Sequence, residues 1–266
     1  MNTMVLSLSA LAALLPATLL PFLRHAARAD RLFWLLLGAA LAGASALSAI
    51  SLSARWQSGL PTTLWLAVAV SLGLFGLVVL WRREAARLTP LLLPYLLVLG
   101  VLATGLGPLA APETLSGAPD AWLVVHIVVS VATYGLCTIA ATASAAVFLQ
   151  ERALKRRAPN AFTRLLPSVA DAERLEVRLL ATSEVILGVG IITGISELYV
   201  TSGTFFTVSH KTLLSVLAFA VIGLLLWLHY KSGLRGRRAA RIVLVAYLLL
   251  TLAYPGVKFV TEILLT

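Results

Sequence analysis

The chain has 266 residues, 60% of them hydrophobic and only 12% charged, with a formal net charge of +10. Soluble domains are about 25% charged, so this balance excludes an ordinary soluble globule and points to an integral membrane protein, as does the mean hydropathy of +0.96. Cys137 is the single cysteine, which excludes an intrachain disulfide, a zinc–thiolate cluster and a CxxC redox motif.

Eight apolar stretches meet the ~20 residues needed to cross ~30 Å of hydrocarbon. They lie near 4–23, 32–53, 62–81, 89–107, 121–149, 180–200, 211–230 and 241–263. The first is followed, rather than preceded, by Arg24, His25 and Arg28, so it reads as a retained span and not a cleaved leader. Of the 21 Lys and Arg residues, all but Arg55, Lys211 and Lys258 fall in the turns after spans one, three, five and seven. The positive-inside rule assigns those turns to the cytoplasm and both termini to the outer, periplasmic side. The expected architecture is an all-α, multi-pass bundle of eight transmembrane helices. It forms one membrane domain over 1–266, with four spans lacking a distinctive motif in 1–108 and the informative region in 120–262. The basic excess then reflects topology, with membrane lipid headgroups as partner and no role for nucleic acid.

Between the spans, the loop 107–120 is rich in breakers, and Asp120 is placed to cap the N-terminus of span five. The segment 151–179 alternates basic and acidic residues around Phe162, Leu165, Leu166, Val169, Leu175 and Leu179. This pattern predicts a short amphipathic helix over 158–178, lying on the cytoplasmic headgroups. The short, aromatic and polar stretch 197–210 delivers the chain to His210 at the opening of span seven.

Span five carries the main chemical signal. An ionisable residue inside a membrane helix costs roughly 2.5 kcal/mol or more when charged, so His126 calls for a partner or a function. His126, Ser130, Thr133, Tyr134 and Cys137 recur at three- and four-residue steps and share one helical stripe facing the bundle interior. Such a stripe serves either helix–helix contact or a ligand site. His210 belongs to the same side of the bilayer, where an interfacial histidine beside Lys211 serves either as an anchor or as a ligand. His126 and His210 are the candidate axial pair for a haem iron, which needs one imidazole on each face. Ser130 and Tyr134 are candidates to orient the imidazole. His25 and His229, at the cytoplasmic ends of spans one and seven, form a possible second pair. Glu197 and Lys258, at outer ends, are placed to pair with each other, and Glu184 sits near the inner interface. The sequence has no phosphate loop, no HExxH and no catalytic-triad spacing. It also lacks the midplane carboxylates of an ion-coupled transporter.

Three stretches together resemble a known family. One is Trp122-Leu-Val-Val-His126-Ile-Val-Val-Ser130 with Tyr134-Gly135 and Leu149-Gln150-Glu151. Another runs from Leu166-Pro167-Ser168 through Asp171, Glu173-Arg174-Leu175 and Arg178-Leu179-Leu180 to Gly190-Ile191-Ile192-Thr193-Gly194. The third is Leu228-His229, Gly236-Arg237-Arg238 and Tyr254-Pro255-Gly256-Val257-Lys258-Phe259. In order and spacing, residues 120–262 resemble the cytochrome c assembly family (CcsA/CcmC type), and within it the smaller YpjD/HemX-like branch. The resemblance implies a haem-handling helical bundle in which His126 matches an outer haem histidine and His229 an in-membrane one. Larger members hold haem at a tryptophan-rich WWD segment and attach it to apocytochrome c. Here no tryptophan falls between Gly194 and Lys211, and no histidine follows the last span. The smaller branch instead resembles this chain in its His210-Lys211-Thr212 opening to span seven.

The functional expectation is a non-covalent b-type haem site near the outer surface, in an accessory of cytochrome c assembly or haem homeostasis rather than a haem-attaching enzyme. Its partners would be cytochrome c assembly proteins or a haem-biosynthesis enzyme. The alternatives are a non-haem membrane regulator or scaffold of such a partner and, behind it, a haem or small-molecule exporter.

Overall fold

The computed structural model describes residues 3–55, 59–109, 121–203 and 210–264, and Asp120 lies outside these described residues. The helices are α1 (Thr3–Leu23), α2 (Arg31–Arg55), α3 (Leu60–Trp81), α4 (Thr89–Leu106), α5 (Ala121–Lys155), α6 (Ala161–Leu165), α7 (Val169–Ser202), α8 (His210–Ser232), α9 (Gly236–Thr251) and α10 (Val257–Phe259). A 3₁₀ segment, Arg83–Leu88, leads into α4. Eight helical segments are long and apolar enough to cross a membrane, and no strand occurs among the described residues.

One continuous apolar core runs from Ala10 in α1 to Leu250 in α9. At its centre, α5 packs against α3, α7 and α9. The buried face of α5 is built from small residues, among them Ala140, Ala143 and Ser144, all at 0% exposure. Such residues allow close helix approach where lipid offers no hydrophobic driving force. Val185, Ile192, Trp227 and Leu248 point outward, where hydrocarbon is their solvent.

Both ends of the first turn are capped by local chemistry. His25 adopts φ 49° and Ala26 N–H donates to Pro21 O at 3.2 Å, so His25 closes α1 as a left-handed terminator. Asp30 accepts from Phe33 N–H at 2.8 Å to cap α2, and it also pairs with Arg24. The Phe33 N–H, aided by Arg24, holds the Asp30 carboxyl below its ordinary value of 3.8.

The predicted spans match the observed helices except around 151–179. There α5 and α7 reach 35 and 34 residues, or about 52 and 51 Å at 1.5 Å per residue, well beyond ~30 Å of hydrocarbon. The expected surface helix over 158–178 is not formed as a separate element. Only Ala161–Leu165 stands alone, and 169–178 are the opening turns of α7. The reason is that protein groups, not headgroups, satisfy this segment. Ser168 Oγ accepts from Asp171 N–H at 3.2 Å and starts α7. Gln150 Nε2 donates to Thr163 O and Pro167 O, each at 2.9 Å, holding the linker against α5. Ala172 and Glu176 are buried, and Glu173 accepts from Gly236 N–H at 2.7 Å. Residues read as a solvated charged face thus form a knob of two packed helices at the basic end of the bundle.

Beyond α9 the chain keeps turning through Leu252–Gly256 as π-type turns, then α10, then further π-type turns over Val260–Leu264. Pro255 has no N–H to give, and the widened turn absorbs it, with Val257 N–H reaching Leu252 O five residues back.

Candidate functional site

Between α5, α7, α8 and this widened C-terminal helix lies a cavity of about 460 Å³, within the range of small-molecule and cofactor sites. His126, Ser130 and Tyr134 line it from α5, Gly190 and Gly194 from α7, and Thr212 and Ser215 from α8. Tyr254 and Lys258 complete it from the C-terminal segment, and apart from Thr133 the rest of the described wall is aliphatic. A mostly apolar wall with a few convergent polar groups suits an amphipathic ligand.

His126 is half-buried, and its Nδ1 lies 3.0 Å from Thr193 Oγ1 on α7. Thr193 Oγ1 stands 3.0 Å from Gly190 O as well. With its hydroxyl donating there, the oxygen accepts from His126 Nδ1–H, the tautomer that leaves a lone pair on Nε2. One turn earlier on α5, Trp122 Nε1 donates to Thr193 O at 3.2 Å. Two side chains of α5 therefore grip one residue of α7 and fix the register of the pair. Gly194 makes room for the ring, because a Cβ there would stand 3.0 Å from His126 Cε1.

Behind Tyr134, the inner wall is a cluster of phenols. Tyr95 OH lies 2.6 Å from Tyr247 OH and 3.3 Å from Tyr134 OH, and Tyr247 OH lies 3.2 Å from Tyr134 OH. Thr138 Oγ1 meets Tyr247 OH at 3.0 Å. The Tyr134 ring centroid is 6.0 Å from that of Tyr254. These hydroxyls join α4, α5 and α9 and satisfy one another away from water, as groups within a bilayer must.

At the C-terminal wall, Lys258 Nζ pairs with Glu262 Oε1 at 3.3 Å, one turn on. Glu262 Oε2 accepts from Leu60 N–H at 2.6 Å, so the carboxylate also caps the start of α3.

The sequence-predicted residues are partly brought together. His126, Ser130 and Tyr134 share the cavity. His210 is the exposed first residue of α8, outside the lining but two positions before Thr212, which belongs to it. His229 Nδ1–H donates to Leu234 O at 3.0 Å and pins the turn between α8 and α9. His25, exposed, ends α1. No contact joins His25 to His229 among the described residues. Thr193, Gly194, Tyr95, Tyr247 and Glu262 are site residues that the sequence reading did not assign. The only signal for the first two was the spacing Gly190-x-x-Thr193-Gly194, which puts a hydroxyl and two side-chain-free positions on one face of α7.

The family described as Cytochrome C assembly protein matches residues 33–265, so the relationship extends into the early spans. Over 268 residues, covering 99% of both chains, the protein is 50% identical to the uncharacterized 28.8 kDa protein in the nifR3-like 5' region of Azospirillum brasilense. It is 28% identical to inner membrane protein YpjD of Escherichia coli (strain K12) over 185 residues, 69% of this chain and 67% of that one. It is also 28% identical to protein HemX of Brevibacillus brevis over 134 residues, 50% of this chain and 49% of that one. No solved structure matches. With its eight apolar helices and a family match over most of its length, the chain belongs to the cytochrome c assembly protein family.

Proposed function

We propose that the protein is a haem-handling accessory of cytochrome c maturation in a bacterial inner membrane, and that the His126 cavity is its b-type haem site. The observation that carries this reading is the fixed imidazole. His126 lines an apolar cavity of about 460 Å³ with its Nδ1 held 3.0 Å from Thr193 Oγ1, and in the tautomer in which Nδ1–H donates to that oxygen, Nε2 is the nitrogen available to a metal. His126, in the cavity wall, and His210, two positions before the lining residue Thr212, are the residues that would hold the iron. Bound there, haem would contribute a redox-active iron. The protein's share is to set the tautomer through Thr193, to seat the ring plane against Gly194 and to exclude water with its aliphatic wall.

In this reading the basic end, with the α5–α7 knob, faces the cytoplasm, and the cavity opens toward the outer side. The chain lacks a tryptophan-rich segment before α8, so we assign it carriage, storage or sensing of haem rather than its covalent attachment. The test is a visible spectrum of the protein purified from cells with ample haem. A Soret band with sharp reduced α and β bands supports the reading, and a colourless protein contradicts it.

One observation favours a second reading, that of a regulator or scaffold. The knob built by α5, α6 and α7 projects past the hydrocarbon and carries Arg152, Lys155, Arg164 and Arg174, a basic surface suited to an acidic soluble partner. A colourless protein that still retains such a partner would favour it.

A further inference from the structure

We infer that Glu184 is a proton-binding site in the middle of the membrane, a carboxyl that takes up and releases a proton between α7 and α8. Its place in the sequence suggests the inner interface, but the structure sets it deeper. Glu184 Oε1 lies against Gly223 of α8, where a Cβ would stand 3.0 Å from it. Gly223 comes 11 residues after Thr212 and nine before Ser232, the ends of that span, or about 17 and 14 Å at 1.5 Å per residue. With ~30 Å of hydrocarbon around α8, the carboxyl is near the midplane. On α7 it stands three and seven positions before Leu187 and Ile191, which line the cavity, so it lies one turn inward of Leu187 on the same face.

A charge at this depth needs a partner. Among the described residues, Glu184 Oε2 is enclosed and meets no hydrogen-bond donor, and no salt bridge reaches the side chain. On α5 the titratable group within its electrostatic reach is the Cys137 thiol, which bonds Ser183. On α8, Gly223 faces it, and the next titratable groups toward the inner end are His229, Tyr230 and Lys231, six to eight residues on. The 3₁₀ segment, also packed on α7, lies at the basic end, where Arg87 donates to Arg164 O. Without a cation beside it the charged form is disfavoured, and the carboxyl holds a proton instead. Glu262, by contrast, pairs with Lys258 and accepts from Leu60 N–H. The Glu184 side chain is half-buried, next to the exposed Val185, so it is open to hydrocarbon rather than to water.

Full-length protein in lipid nanodiscs is treated with dicyclohexylcarbodiimide, an apolar reagent that reacts with protonated carboxyls. The acid adds across one C=N bond, its oxygen to carbon and its proton to nitrogen. An acyl shift to nitrogen then fixes the whole reagent on the side chain, with no leaving group. Mass spectrometry is expected to find at least about tenfold more label on Glu184 than on Glu262, reflecting a tenfold or greater difference in protonated fraction. The label should decline as pH rises, and a water-soluble carbodiimide should leave Glu184 unmodified. Glu184→Gln, which copies the neutral acid, should fold normally and lose only that label. Labelling of Glu184 that ignores pH overturns the inference. So does protection by sodium at fixed pH, which would make this a metal-cation site. If Glu184 takes no label, infrared difference spectra between the unaltered protein and Glu184→Gln decide. A neutral-acid carbonyl band that fades at high pH sustains the proton site, and its absence overturns it.

Discussion

His126 Nδ1 on α5 and Thr193 Oγ1 on α7 meet at 3.0 Å, and the same threonine oxygen stands 3.0 Å from Gly190 O one turn back. The contact joins two long helices and sets the chemistry of the cavity at once. Thr193→Val keeps the shape and removes the acceptor. In the haem reading it should weaken haem retention by about 10–100-fold, the usual cost of losing a partner to a metal-bound histidine. Thr193→Ser should restore it. Retention by Thr193→Val equal to the unaltered protein would show that the threonine does not position the ring.

Gly194→Ala adds a methyl 3.0 Å from His126 Cε1. The ring must turn or α7 must back away, at an overpacking cost of about 1–3 kcal/mol. A lower unfolding temperature in detergent and a displaced Soret band are the expected results. An unaltered spectrum would place the haem elsewhere.

The spans were legible in the sequence because hydrocarbon imposes a long apolar run on any helix that crosses it. The fate of 169–178 was harder to read. Asp171, Glu173 and Glu176 look like a headgroup face, yet Glu176 is 3% exposed and Glu173 caps α9 through Gly236 N–H. Only the Ser168-Val-Ala-Asp171 cap announced that α7 starts there. At the site, His126 stood out because a bilayer tolerates few histidines. Thr193 is 67 positions away and Tyr247 is 152 from Tyr95. Such pairings belong to the packing of helices and leave no local periodic trace.

Tyr247→Phe removes the hydroxyl that Tyr95, Tyr134 and Thr138 share. Tyr95 and Tyr134 keep their 3.3 Å contact and Thr138 its bond to Tyr134 O, so the cost is that of the lost hydrogen bonds, about 0.5–1.5 kcal/mol each. We expect a clear fall in the unfolding midpoint in detergent, and a smaller one for Ser130→Ala, which lies outside the cluster. Equal effects of the two substitutions would argue against a structural phenol cluster.

The basic knob at the ends of α5 and α7 is expected in the cytoplasm, with both termini on the other side. A reporter that works only in the periplasm, fused after Thr266, should be active. A cytoplasm-only reporter active at that position would invert the bundle and turn the cavity inward.

The central claim is that His126 binds haem iron, with His210 opposite. The direct measurement is the ferric spin state, by electron paramagnetic resonance and visible absorption, of the haem-loaded protein and its histidine variants. Two strong-field imidazoles predict a low-spin signal. His126→Ala and His210→Ala should each convert it to a high-spin, five-coordinate one, while His25→Ala and His229→Ala leave it low-spin. Loss of haem in His229→Ala with an unchanged His126→Ala would contradict the account and move the site to the basic end of the bundle.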